Sequence, residues 1–254
     1  MIHWLVKRKL LLCVLLLGLS LSISLGGVRR FTFLYEANTS AAGSLELETS
    51  ITWQRAAGPG RFDHIDFRHE VEYGITDRFQ ASIYLADWSY ENAREHSGFA
   101  YSDTGIELIY NLTNPVIDPV GLSIYGELRA GDRLVELESK FIAQKNLGPI
   151  ILAYNITLEA VWAGSGLAER GGEFSQALGA SYEISSRTSV GLELLHEFVL
   201  PEWRDAEKIR NFFIGPNVSY RRGNWFVTLT ALAQATDTAD EPDFQLRTIF
   251  GIGL

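Results

Sequence analysis

The stretch that most constrains this chain is Glu70 to Leu85, EVEYGITDRFQASIYL, which reads as two alternating strands joined by a turn too short for any other connection. On the first arm Ile65, Phe67, Val71 and Tyr73 share one phase and Asp66, Arg68, Glu70 and Glu72 the other. That is the two-residue period of a strand with one apolar and one charged face. The second arm repeats it: Phe79, Ala81, Ile83 and Leu85 alternate with Gln80, Ser82 and Tyr84. Gly74-Ile75-Thr76-Asp77 between the arms supplies the Gly and Asp that a tight hairpin needs. Such a surface meets water on one side and a core, or lipid, on the other.

From Leu45 onward the pattern predicts twelve strands, each close to the roughly 9 to 11 residues with which a tilted strand crosses a bilayer. The first six are Leu45 to Gln54, His64 to Tyr73, Arg78 to Trp88, Asp103 to Leu112, Gly121 to Gly131 and Leu134 to Lys145. The rest are Pro149 to Trp162, Glu173 to Ile184, Thr188 to Phe198, Asn211 to Arg221, Trp225 to Thr236 and Phe244 to Leu254. Even-numbered connections (GITD, TNPVIDPV, NLG, SSR, RGN) are short or moderate, and odd-numbered ones are longer and more polar, except at Gly131 to Arg133. Short turns on one side and long loops on the other are the habit of outer-membrane barrels. Tyr73, Phe79, Tyr110, Tyr182, Tyr220 and Trp225 lie at strand ends beside even connections, with Trp53 and Trp162 at the opposite ends, all in the apolar phase. Two aromatic girdles around an apolar band suit a lipid-facing surface. Trp88 falls out of phase, and Pro216 inside the tenth strand removes a ladder donor that a bulge would have to excuse.

Ahead of the strands, Lys7, Arg8 and Lys9 precede an apolar run from Leu10 to Leu21 and small residues at Ser22 to Gly27, so residues 1–27 read as an export signal. An uncleaved anchor is the alternative, although the run is shorter than the roughly 20 residues of a spanning helix. Residues 28–43, with the alternating piece FTFLYE, read as a short periplasmic segment or an extra strand, and 44–254 as the barrel. The only cysteine, Cys13, lies in the signal, so stability must come from something other than disulfides. Loss of the signal takes the formal charge from -9 to about -12, unlike a nucleic-acid binder. A soluble exported β protein is the competing class.

The alternating strands, the hairpin EYGITDRFQASIYL and the last strand FQLRTIFGIGL resemble bacterial outer-membrane β-barrels. More narrowly they resemble a family of small, uncharacterised, transporter-like barrels. The resemblance covers Phe31 to Leu254 and implies an all-β transmembrane antiparallel barrel in the outer membrane. It further implies contact with membrane lipid and lipopolysaccharide and assembly by the barrel insertion machinery. It implies no reaction and no cofactor. Phe250, Ile252 and Leu254 keep the terminal alternation, but the final residue is Leu where such barrels commonly end in Phe.

The phase opposite the lipid should line a lumen, and it carries Glu46, Glu48, Arg68, Glu70, Glu72, Glu107, Glu127, Arg129, Glu136, Glu138, Lys140, Glu193, Arg221 and Arg247. With Asp66, Glu159, Glu183 and Glu197 the balance is thirteen carboxylates against five cations, which expects a cation-preferring passive channel for small solutes. The competing reading is a structural or adhesive barrel whose interior is plugged by ion pairs. Twelve strands fall between the filled eight-stranded and the open sixteen-stranded cases. His64, His69, His96 and His196 lack zinc-site spacing, so no metal site is expected from them. A lipid hydrolase would need a Ser-His pair; Glu95-His96-Ser97-Gly98 lies in a predicted loop without the pattern of the known outer-membrane phospholipases, and no catalytic residue is assigned. The loop DTADEPD, 237–243, lacks the spacing of a calcium loop.

Overall fold

A computed structural model describes residues 29–57, 61–93, 97–203, 210–238 and 241–254. The strands are β1 (Leu45–Ala56), β2 (Phe62–Thr76), β3 (Phe79–Ala93), β4 (Ser97–Thr113), β5 (Gly121–Gly131) and β6 (Leu134–Leu147). They continue as β7 (Ile150–Ala163), β8 (Glu169–Glu183), β9 (Thr188–Val199), β10 (Arg210–Arg222), β11 (Trp225–Gln234) and β12 (Phe244–Gly253). Each pairs antiparallel with its sequence neighbours, and β1 pairs with β12 from Glu46 opposite Gly253 to Arg55 opposite Phe244. The sheet is therefore a closed barrel, as the sequence reading expects. Closure leaves no unpaired edge in hydrocarbon, the condition for a sheet to cross a membrane.

The two-residue period decides which side chains go where. Ile83, Leu85, Ile106, Leu108, Leu128 and Leu158 are exposed on the outside, while their strand neighbours Ser82, Glu107, Glu127 and Thr157 are buried inside. An apolar band running right round a closed barrel is a lipid-facing surface, and the chain is an outer-membrane β-barrel. Among the predicted girdle residues, Tyr73, Tyr110 and Tyr182 are exposed and Trp53, Phe79, Trp162, Tyr220 and Trp225 half-buried. Several pair with a neighbour: Phe79 with Tyr110 at 6.4 Å between ring centroids, Tyr220 with Trp225 at 5.6 Å and Trp53 with Phe244 at 5.9 Å.

An arginine in this band separates the lipid face from a soluble core. Leu108, midway along the span of β4, is expected to cost about 2–4 kcal/mol when replaced by Arg, and Ile184, just past β8 at the turn end, about 0–1 kcal/mol. Urea unfolding of the barrel in lipid vesicles measures both; equal costs would contradict the placement of the band.

Local departures from the sequence reading have physical causes. A register shift between Tyr84 and Asp87, where β3 meets β4, returns Trp88 to the outer face against Tyr101, with ring centroids 5.7 Å apart, and turns Asp87 inward. Pro216 needs no bulge: β10 keeps one register with β11, and the ladder skips from Ile214 to Asn217 while the β9 side stays paired. His69, uncomfortable in the lipid-facing phase, lies with its Nδ1 3.1 Å from Thr49 Oγ1 on the neighbouring strand. The expected loop between the third and fourth strands is shorter than predicted, because β3 and β4 pair on to Asn92 and Ser97. Gly148 and Gly223, at φ +61° and +64°, make two of the tight turns at the opposite end possible. Residues 1–28, with the expected export signal and Cys13, lie outside the described residues, as do 94–96 with His96.

The largest difference concerns residues 29–43. Expected as a periplasmic segment or an extra strand, they form no strand and lie inside the barrel: Phe31, Leu34 and Ala37 are at most 1 % exposed.

Candidate functional site

The seat of this internal segment is built from side chains of nine strands. At the turn end of the barrel the Arg29 carbonyl accepts hydrogen bonds from Ser219 Oγ (2.9 Å) and Thr228 Oγ1, and Arg29 Nη1 donates to Glu48 (2.8 Å). Arg30 bridges Glu36 of the segment and Glu183 on β8, each at 2.6 Å. The backbone then runs inward. The N–H groups of Thr32 and Phe33 donate to the Glu193 carboxylate at 3.0 and 2.8 Å, and Tyr35 exchanges two bonds with the Asn155 amide. On the way back Ala37 donates to Gln144 and accepts from Asn111, and Ser40 N–H donates to Gln80. The segment leaves beside the β2–β3 turn, where Thr39 Oγ1 and the Ala42 N–H bond to Asp77. Main-chain groups removed from water need such partners, and here the barrel wall supplies them one strand after another.

Apolar contacts complete the seat. Phe31 and Leu34 pack with Ile151, Ala153, Ala177, Leu195, Phe213 and Leu232, and Ala37 with Ile109, Tyr125 and Ile142. All these wall residues point into the lumen, where a water-filled pore would carry polar groups. An apolar inner wall fits an occupant, and residues 29–42 are that occupant.

Above the segment, on the long-loop side, a cavity of about 380 Å³ has Thr32, Phe33 and Tyr35 as its floor. Its walls carry eight carboxylates and four cations, unevenly arranged. On one side Arg68 Nε donates to Asp87 (2.8 Å), Arg129 binds Asp103 (2.6 Å) and Glu136 (2.8 Å), and Lys140 pairs with Glu138. Beneath them Tyr84 and Tyr125 share the Glu127 carboxylate, and Tyr84 and Tyr35 bond Glu107 at 2.9 and 2.8 Å. On the other side stand Glu159, opposite Glu173 in the β7–β8 register, and Glu197 on β9, opposite Ser175 on β8. None of these three is in an ion pair among the described residues. The vestibule thus has a neutralised wall facing an acidic one.

The predicted lumen residues divide between these layers. Glu136, Glu138, Arg129, Lys140, Arg68 and Arg247 line the outer cavity, with the Arg247 guanidinium 5.5 Å from the Phe33 ring. Glu107, Glu127 and Glu193 are buried at the level of the segment, and Glu46, Glu48, Glu70 and Glu72 are buried lower, on β1 and β2. Arg221 sits at the turn-end rim, its Nε donating to the Ser186 carbonyl at 2.8 Å. Sequence reasoning missed Tyr84, Asp87, Asp103, Asn155, Gln144 and the segment itself. The readable signal was apolar residues in the lumen phase, such as Ile109 beside Glu107 and Leu195 beside Glu193.

Comparison with known proteins adds to this picture. The family of unknown function DUF6662 matches residues 27–245. No curated protein sequence matches. Among solved structures the NanC porin superposes with a TM-score of 0.54 at 10% identity, covering 83% of this chain and 98% of that one. The translocator domain of the autotransporter NalP from Neisseria meningitidis gives 0.50 at 11% identity, covering 84% and 88%. At such identities the likeness is one of fold.

Proposed function

The chain belongs to DUF6662, a family of unknown function, and from the geometry of its lumen we propose that it is an outer-membrane channel for small cationic solutes, closed by its own N-terminal segment. The observation that carries the reading is the outer vestibule, which opens on the long-loop side and has on one wall Glu159, Glu173 and Glu197, none of them in an ion pair among the described residues. Carboxylates crowded in a confined, low-dielectric mouth raise the local concentration of cations and repel anions. The porin fold of NanC is in keeping with this. In this reading residues 1–27 are an export signal, and their removal leaves the plug as the mature N-terminus. The barrel insertion machinery assembles the barrel, which rests among lipid and lipopolysaccharide. No residue is assigned a catalytic role.

A second reading, a surface barrel with a permanently filled lumen, is favoured by the number of wall side chains committed to the plug. Planar-bilayer current through a barrel freed of residues 29–42, under a salt gradient, separates the two. A channel gives a cation-selective current, and E159Q/E173Q/E197Q in the same barrel lowers that selectivity severalfold. A folded, plug-free barrel that carries no current would establish the surface reading.

A further inference from the structure

The outer cavity holds a second unpaired charge, opposite in sign to its acidic wall. Of the four cations that line it, three are in ion pairs: Arg68 with Asp87, Arg129 with Asp103 and Glu136, and Lys140 with Glu138. Arg247 on β12 has no ion pair and no hydrogen bond from its side chain among the described residues, and its Nε is buried without an acceptor. The residues opposite it on the neighbouring strands, Thr52 on β1 and Thr230 on β11, bring no charge. The charges acting on it include two other cations, Arg29 and Arg68, and Glu48, which is already bonded to Arg29. The Phe33 ring, 5.5 Å away, attracts the guanidinium but supplies no oxygen for its five N–H groups. A buried donor without an acceptor is costly. In the wall of a cavity it marks the place of an anionic ligand group.

Arg247 and the acidic wall face one cavity from different arcs of the ring. Two strands, β10 and β11, lie between β12 and β9, so Arg247 and Glu197 stand three strand intervals apart, roughly 14 Å along the wall. A simple cation would satisfy the carboxylates and leave Arg247 as it is; a simple anion would meet eight carboxylates. A solute with both charges serves both walls, and about 380 Å³ is within the range of pockets that enclose small molecules. An amino acid carries its two charges on one carbon and is too short to reach from wall to wall. An extended chain of three residues spans about 10 Å, and the long Arg and Glu side chains cover the rest. We infer that the outer vestibule binds a zwitterionic peptide of about three residues, its ammonium among Glu159, Glu173 and Glu197 and its carboxylate on the Arg247 guanidinium. A guanidinium fork matches a carboxylate through two parallel N–H bonds. The inference rests on the reading of this vestibule as the mouth by which solutes enter, and names the solute.

Calorimetric titration of the intact, detergent-folded barrel tests it, with trialanine, trialanine amide, N-acetyltrialanine and alanine as probes near pH 6.5, about where both peptide termini are charged. Trialanine should bind one saturable site, and each of the other three at least about tenfold more weakly. R247Q should abolish the preference for trialanine over its amide while leaving the amide's own binding unchanged, which a merely structural loss would not do. E159Q/E173Q/E197Q should abolish the preference over the N-acetyl form. Migration on unheated gels reports folding; if R247Q does not fold, R247K keeps the charge, loses the fork and should reduce the same preference. Equal binding of trialanine and its amide, a preference untouched at position 247, alanine binding as tightly, or no saturable binding would each overturn the inference. Cation-selective current through the plug-free barrel would then still uphold the channel, and trialanine binding to a barrel without that current would tell against the channel alone.

Discussion

Removing residues 29–42 is expected to turn a barrel that holds steady current near zero into one that conducts continuously. The plug fills the turn-end half of the lumen, and its apex closes the floor of the outer cavity. The barrel itself does not depend on it, because every strand pairs with two neighbours through main-chain ladders. A milder variant makes the same point without deletion. Gly179 faces the plug from β8, and a Cβ there would lie 2.6 Å from Phe31 Cε1 and 3.0 Å from Leu34 Cδ2. Gly179→Val therefore leaves no room for the seated segment and should open the barrel in the same direction. Conductance in planar bilayers reads both, with gel migration as the control for folding. If both folded variants stay silent, the lumen is closed by something other than this segment.

What sequence could and could not disclose follows from the range of the interactions. Strand positions are local: the alternation at Gly121 to Gly131 and Thr188 to Phe198 gives β5 and β9 to within a residue, because a single phase error would turn a charged face into lipid. Pairings inside one hairpin are nearly as accessible, as with Arg129 opposite Glu136. The plug seat is different in kind. Gln80, Asn111, Gln144, Asn155 and Glu193 come from β3, β4, β6, β7 and β9, and only closure of the ring aims them at one peptide. FTFLYE alternates like a strand, yet its hydrogen bonds go to side chains, which periodicity does not encode. Bulges fail similarly: the shift between Tyr84 and Asp87 sends Asp87 to Arg68 and reverses the phase of everything beyond it. The excess of lumen carboxylates was legible as a count but not as an arrangement. Glu193 holds the plug, Glu48 holds Arg29, and Glu159, Glu173 and Glu197 stand apart in the vestibule.

Glu193→Leu is expected to release the plug while leaving the barrel folded. This carboxylate is fully buried and accepts from the Thr32 and Phe33 N–H groups, from Asn217 Nδ2 at 2.8 Å and from Thr230 Oγ1 at 2.6 Å. Leucine has similar bulk and no acceptor, so these donors would be left buried and unpaired, at about 1–3 kcal/mol each. Holding the segment in place already costs about 1–2 kcal/mol of backbone entropy per ordered residue, so the seat has little to lose. Departure of the plug is the cheapest relief, since it returns Thr32 and Phe33 to water and lets water reach Asn217 and Thr230. Glu193→Gln keeps one acceptor oxygen and should loosen the segment less. The readout is direct, because Cys13 is the only natural cysteine and lies in the stretch read from sequence as an export signal. In an Ala37→Cys background the thiol, placed where Ala37 is wholly buried, should resist maleimide with Glu193 present and react quickly with E193L. Equal protection in both would show that the apolar contacts of Phe31 and Leu34 hold the plug without the carboxylate.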